Sequence, residues 1–403
     1  MRGFQYFMSK FGLTALLLFI FLSAIGRILF PFGDEPDYQS QLERLNSQDK
    51  LIYNPYNYTK LYEGIPSEHN CLVSAGSYSL WAKFNNNCLD LNFKYFFSRI
   101  SLTLLLTLPL LLTIFYRRYS YKLFRTKKVI TFDEWNDRLD AVSLSILFPS
   151  LIYMLGLVSE EVFILVCALY VFVFWGRPII ITCLLFMIGI LDNGNFIVVF
   201  GFSGILYSLN RTYNLLGMRV MLILSASMVA CSYFFGEIVL SHLASMHIQS
   251  KFEQIYISIV DKSAYDNYPL ILRPIITYLS FIFMTAASVK SILLYILVSI
   301  GLIYASLKGI ASYYSIQKEV INSDVQIAKA KDFSFSIVAM VSVATTIFCF
   351  VFMLPTHGYA KYYVFMMPFV IYFLLQFISK WKIMATFVIF SIVLFANIMA
   401  YYV

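Results

Sequence analysis

Charge is what this sequence has little of. Asp, Glu, Lys and Arg together make up 13% of its 403 residues, while 60% are hydrophobic. A soluble domain is about half apolar and about a quarter charged. A water-soluble fold is therefore excluded, because too little polar side chain exists to cover its surface. Alternation is also lacking: Leu104 to Thr113 and Phe369 to Ile378 do not switch between polar and apolar as a transmembrane β-strand must. The six cysteines show no C-x-x-C spacing of the kind that holds zinc. Internal repeats and a soluble domain are absent as well.

What the chain has is apolar runs near the roughly 20 residues needed to cross about 30 Å of hydrocarbon. In lipid every backbone polar group must be satisfied internally, so these runs are expected to be helices. The fold class expected is all-α: one integral membrane domain over residues 1–403, a bundle of about eleven membrane-spanning helices.

The net charge of +8 does not point to nucleic acid, because of where the basic residues fall. Arg117, Arg118, Lys122, Arg125, Lys127 and Lys128 directly follow an apolar run, where the positive-inside rule puts a cytoplasmic loop. Arg2 and Lys10 keep the N-terminus on the same side. Phe11 to Phe30 reads as a retained first span, since no small-residue cleavage site precedes Arg27. Residues 31–98 then form the first extracytoplasmic loop. The second span runs from about Ile100 to Tyr116, and the third from about Leu139 to Val158. Ser159-Glu160-Glu161 makes an outer turn before the fourth span, Val162 to Trp175. The fifth rises to Asp192-Asn193-Gly194-Asn195, the sixth descends to Arg211, and the seventh climbs from about Val220 to Leu240. Residues 241–290 form a second extracytoplasmic segment, within which Pro274 to Val289 is apolar enough to lie in the interface. An eighth span, Ser291 to Leu307, leads to an inner loop, Lys308 to Asp332. The ninth emerges at Pro355 to Tyr363, the tenth descends to Lys380-Trp381-Lys382, and the eleventh ends outside. Cys71 and Cys88 share the first outer loop, where a disulfide between them is expected in an oxidising compartment.

Ionisable residues at membrane depth are costly, so those at helix ends are functional candidates. Four groups fall on the outer side. Gly33-Asp34-Glu35-Pro36-Asp37-Tyr38 follows the first span, and its acidic pair suits a general base, a cation site or a solvated turn. Arg99 opens the second span, either as a snorkelling anchor or as an anion-binding group. Glu160 and Glu161 stand side by side in a very short turn. His357-Gly358-Tyr359-Ala360-Lys361-Tyr362-Tyr363 sets cations among tyrosines, as an aromatic belt or a phosphate clasp.

Together these segments resemble the GT-C superfamily of membrane glycosyltransferases, which use polyprenyl-phosphate sugars and include protein O-mannosyltransferases and the aminoarabinose transferase of lipid A. Gly33 to Tyr38 is similar to the family's Asp-Glu-x-x-Tyr segment. Phe97-Ser98-Arg99-Ile100-Ser101-Leu102 resembles its Arg-Leu-Pro-Ser start of the second helix. Ser159-Glu160-Glu161 stands where the family often has an Asp in a short outer turn. Lys361 to Pro368 is similar to its Arg-Tyr-hydrophobic-Pro segment. The chain departs from the family in lacking a Lys-Pro-Pro-Leu-Tyr-like segment in the first loop. Asp192-Asn193-Gly194-Asn195 replaces a frequent lysine.

The resemblance implies an inverting transfer of a sugar from a polyprenyl-phosphate donor to a glycan or lipid acceptor of the cell envelope. Asp34 would act as base, with Glu35 and Glu160 orienting acceptor or sugar. Lys361, Arg99, Arg273, His357 and Tyr362 would hold the donor phosphate. No cofactor is assigned, and a divalent metal in the first loop is left open. Membrane lipids are partners and nucleic acid is not. The Ile/Phe/Tyr/Asn/Lys-rich composition fits a bacterial surface-glycan locus, so the expected location is a bacterial plasma membrane with the site facing outward. Two rivals stand beside this reading. A repeat-unit polymerase of surface polysaccharide would rely on outer cations more than on the acidic pair. A lipid-linked glycan transporter or flippase would show internal repeats and ionisable residues deep in the bundle.

Overall fold

A computed structural model of the chain describes residues 10–29, 93–124, 132–156, 160–245, 324–353 and 362–401, with a few single positions between 90 and 311. Of these, 92% are helical and none is in a strand. Among the described residues the expected all-helical architecture holds, and its apolar helices are those of a membrane-embedded protein. Three helical runs among the described residues are long and apolar enough to cross a bilayer. The chain divides into two compact units: Met1–Asn193 with Thr285–Val298 and Ser379–Val403, and Gly194–Met284 with Ser299–Ile378.

In the first unit, α1 (Lys10–Leu29) shows how the apolar pattern becomes packing. Phe11, Ala15, Phe19, Leu22 and Leu29 lie on one helical face and are buried, while Leu13, Leu17 and Phe21 on the opposite face are exposed. The exposed face has the character lipid requires. The buried face packs on α2 (Phe96–Phe115), on α4 (Phe132–Ser145), on α5 (Pro149–Met154) and on α11 (Lys380–Tyr401). The first turn of α2 lies inside the loop expected over 31–98, so the helix starts earlier than apolarity alone indicates.

After α2 the chain bends by 91° into α3 (Arg117–Phe124). The basic cluster thus begins on a short helix set across the spanning direction. α4 likewise starts at Phe132, seven residues before the expected Leu139. Asp133 and Glu134 occupy its first turn, where the positive end of the helix dipole favours them, and Glu134 pairs with Arg138 at 2.6 Å. The expected third span is broken in the middle. Phe148 is extended (ψ 133°) and Pro149 opens α5 as its first residue, because proline has no N–H to continue the ladder. Beyond it come α6 (Glu160–Val173) and α7 (Pro178–Leu191).

The second unit contains nearly all of α8 (Asn193–Ser245), two helical arms that meet at a kink. A straight helix of 53 residues would be about 80 Å long, far more than a bilayer. Gly217 interrupts it with φ 82° and ψ 179°, a conformation essentially reserved for glycine. Contacts with α9 (Asp324–Met353) show that the chain reverses there. Before the glycine, Gly201 lies against Phe350, whereas Tyr213 donates to Ser334 at 2.8 Å. After it, Ser225 shares a hydrogen bond with Thr345 at 2.6 Å and Tyr233 packs edge-on to Phe352. The first arm therefore runs antiparallel to α9 and the second parallel to it. The turn falls at Gly217 rather than at Arg211, because backbone permissiveness and not charge chooses the point of reversal. α8 also continues to Ser245, into the expected outer segment 241–290, and α9 starts at Asp324, inside the expected loop 308–332. A 3₁₀ turn (Val364–Met366) leads into α10 (Met367–Leu374), which packs on α9.

Candidate functional site

The site grows from two arginines that apolar surroundings should make costly. Arg27, in the last turn of α1, and Arg99, in the first turn of α2, are both completely buried. Arg27 donates through Nη1 to the Gly156 carbonyl and through Nη2 to the Tyr153 carbonyl at 3.2 Å. Arg99 Nη1 donates to the carbonyl of Arg27 itself at 2.9 Å. Thr103, one turn further along α2, returns its hydroxyl to the Arg99 carbonyl at 2.9 Å and lies 3.5 Å from the Gly156 carbonyl. The end of α1, the start of α2 and the end of α5 are thus tied together by donors meeting backbone acceptors. Tyr153 and Gly156 lie where α5 ends; the Tyr153 carbonyl accepts from the Gly156 N–H at 3.0 Å as well as from Arg27, so the guanidinium adds to a tightened last turn. A cation also suits the negative end of the helix dipole.

Gly156 is required for this arrangement. A Cβ at that position would fall on Cζ, Nη2 and Nε of Arg27. The close approach of guanidinium to backbone depends on the missing side chain.

The opposite end of the unit is built from ion pairs. Asp140 in α4, nearly buried, accepts from Arg117 Nη1 at 2.5 Å and from Lys380 Nζ at 2.9 Å. Arg117 also donates to Ser143 at 3.2 Å, and Lys380 lies 4.8 Å from the centre of the Phe11 ring. Arg138 caps α6 by donating to the carbonyls of Val173 at 3.1 Å and Trp175 at 2.8 Å. From Phe11 to Arg27 is about 24 Å along α1, so the two ends are separated by most of a bilayer's hydrocarbon.

Of the residues singled out from the sequence, Arg99 and Tyr362 lie among the described residues. Glu160 is the first residue of α6, beside Glu161, and so stands in a helical first turn rather than in the middle of a loop. Arg99 is a buried group joined to α1, not a snorkelling anchor at the water surface. Tyr362 is half-buried in the second unit, next to Tyr363, which is fully buried. The segment that follows is held by aromatic packing, with Phe202 of α8 lying 5.6 Å from Phe365 and 4.8 Å from Phe369 between ring centres. Asp34, Glu35, Arg273, His357 and Lys361 lie outside the described residues, as do Cys71 and Cys88 with their expected disulfide. Among the described residues no three His, Cys, Asp or Glu side chains gather in a way that could hold a metal ion.

Sequence reasoning used Arg27 only to judge cleavage and missed its part in the site. An arginine three residues before the end of an apolar run was the available signal. Asp140 was missed because the expected third span was begun one residue before it.

The second unit holds an apolar cleft of about 480 Å³ between the second arm of α8 and α9. Ala226, Ala230 and Ala344 give it space, and Tyr233, Phe234 and Phe348 wall it. Compared with known proteins, the chain matches no family model, no curated protein and no solved structure.

Proposed function

We propose that this chain is an inverting glycosyltransferase that moves a sugar from a polyprenyl-phosphate donor to a cell-envelope acceptor at the outer face of a membrane. The observation that supports the reading is the junction at Arg27. It joins three elements: the one that leads into Gly33-Asp34-Glu35, the one that carries Arg99 in its first turn, and the one that leads into Glu160-Glu161. These are three of the four segments on which the family resemblance rests. The ion-paired, basic end lies on the other side of the same unit, as the positive-inside rule requires of a cytoplasmic face.

The chemistry follows from the donor. An acceptor hydroxyl oxygen attacks the anomeric carbon from the face opposite the phosphate. The carbon–oxygen bond to phosphate breaks, its electron pair leaves with the polyprenyl phosphate, and the anomeric centre inverts. An alcohol is a poor nucleophile, so Asp34 takes its proton as the new bond forms. Glu35 and Glu160 orient acceptor and sugar. Arg99 stabilises the charge gathering on the departing phosphate. Much of the rate comes from holding two membrane-bound reactants in register.

Incubating the purified chain with radiolabelled polyprenyl-phosphate sugars and envelope acceptors tests this. Transfer from a monophosphate donor is the expected result. Activity only with a lipid-diphosphate oligosaccharide, abolished by Lys361→Ala and Arg273→Ala but not by Asp34→Asn, would replace this reading with the polymerase.

A further inference from the structure

We propose that Arg27 is a positioning residue, whose guanidinium holds the end of α5, four residues before Glu160, against the last turn of α1. The inference deepens the glycosyltransferase reading and rests on it for the role of that acid.

An arginine near a helix end in a membrane protein ordinarily snorkels, keeping its head in water and its stem in lipid. Arg27 does the reverse: it is fully buried, on the same face of α1 as Phe19 and Ser23. The hydrogen bonds to the Tyr153 and Gly156 carbonyls reach 126 and 129 residues along the chain. A buried guanidinium is costly to desolvate, so its placement fixes the carbonyls that compensate it as firmly as they fix the guanidinium. A lysine, with one compact head, cannot reproduce two directed bonds from a rigid fork.

The covalent chain then transmits this contact. Glu160 is four residues from Gly156, so its Cα lies within about 14 Å of that glycine's whatever path the turn takes. Asp34 follows the end of α1 by five residues in the sequence. Arg99 enters the arrangement directly, through its bond to the Arg27 carbonyl. A single residue therefore joins the end of α1, the end of α5 and the Arg99 guanidinium, the three points from which the acidic segments and the second cation depart. Gly156 is the other half of the device, since any side chain there would displace the guanidinium.

The test uses the full chain in lipid nanodiscs, with Arg27→Gln, Arg27→Lys, Gly156→Ala and the Arg27→Gln/Gly156→Ala pair. Hydrogen exchange of peptides covering residues 149–165 is followed with that of 132–145 at the opposite end. Losing the clasp should speed exchange in 149–165 by about ten- to a hundredfold, with 132–145 unchanged. In transfer assays kcat should fall by about tenfold to a hundredfold while the donor KM holds, since misplacement and not lost binding is the defect. Arg27→Lys should recover part of the rate. The double variant should be no worse than the worse single one, because both changes break the same contact. Gly156→Ala keeps the arginine and its charge, so it serves if Arg27→Gln does not fold.

Unchanged exchange in 149–165 for a folded Gly156→Ala protein would overturn the inference, as would fast exchange with undiminished kcat. A raised donor KM at full kcat would make Arg27 a direct donor ligand instead. Wild-type protein inert with every donor would sink the proposed function, and the exchange measurement, which needs no substrate, would still decide whether Arg27 holds the end of α5.

Discussion

At one end of the first unit Arg117 meets a carboxylate, and at the other Arg27 meets carbonyls. Both arginines are buried, and both join separate helices, Arg117 across 23 residues and Arg27 across 129. A carboxylate cancels a guanidinium's charge, and with Lys380 also present Asp140 becomes the point at which α3, α4 and α11 are bound together. A carbonyl orients a guanidinium without cancelling it, and what is gained is the placement of a backbone turn. The first arrangement is suited to holding helices. The second is suited to fixing a helix end at the point where a loop departs. If this contrast is right, substitutions at the two ends should separate stability from activity.

The largest effect is expected at the loop end and in rate. Asp34→Asn keeps shape and hydrogen bonding while removing the proton acceptor, so transfer should fall by about 10² to 10⁴. Donor affinity and thermal unfolding should be those of the wild type. Single-turnover transfer measured beside donor binding decides it, and near-normal transfer removes Asp34 as base.

At the ion-paired end the opposite should happen. Asp140→Ala leaves Arg117 buried beside Lys380 without the carboxylate, at a cost of about 3–5 kcal/mol. Transfer per folded molecule should be unaltered. Unfolding in detergent monitors the first quantity and activity normalised to folded protein the second. A catalytic loss without destabilisation would erase the distinction between the ends.

Gly217→Ala tests the reversal in the second unit. No atom lies within 4 Å of where its Cβ would go, so the penalty is backbone strain alone. A loss of about 1–3 kcal/mol is expected, and an unchanged unfolding midpoint would mean the arms of α8 tolerate another turn.

The smallest effect is expected from Lys380→Met. The lysine side chain is 40% exposed, so water screens its pair with Asp140. The cost should stay under about 1 kcal/mol. A loss rivalling that of Asp140→Ala would show that the lysine, and not Arg117, is the main partner of the carboxylate.

The sequence by itself determined that the chain is helical, membrane-embedded and basic along the α2–α4 connection. Each of these is a local property: a run of Leu, Ile and Phe excludes water wherever it folds, and a basic stretch such as Arg117 to Lys128 is costly to place in hydrocarbon whatever packs beside it. It also picked out Arg99 and Glu160-Glu161 as groups at helix ends. Only the tertiary structure decided what those ends touch. That Arg27 reaches Gly156, that Asp140 gathers Arg117 and Lys380, and that the chain turns back at Gly217 rather than Arg211 are facts of packing. Partners separated by 23 to 240 residues leave no mark on local hydropathy. A glycine's positive φ is one option among many until neighbouring helices select it. Burial made the difference, because a charge or polar atom removed from water must find its partner in space, wherever that partner lies along the chain.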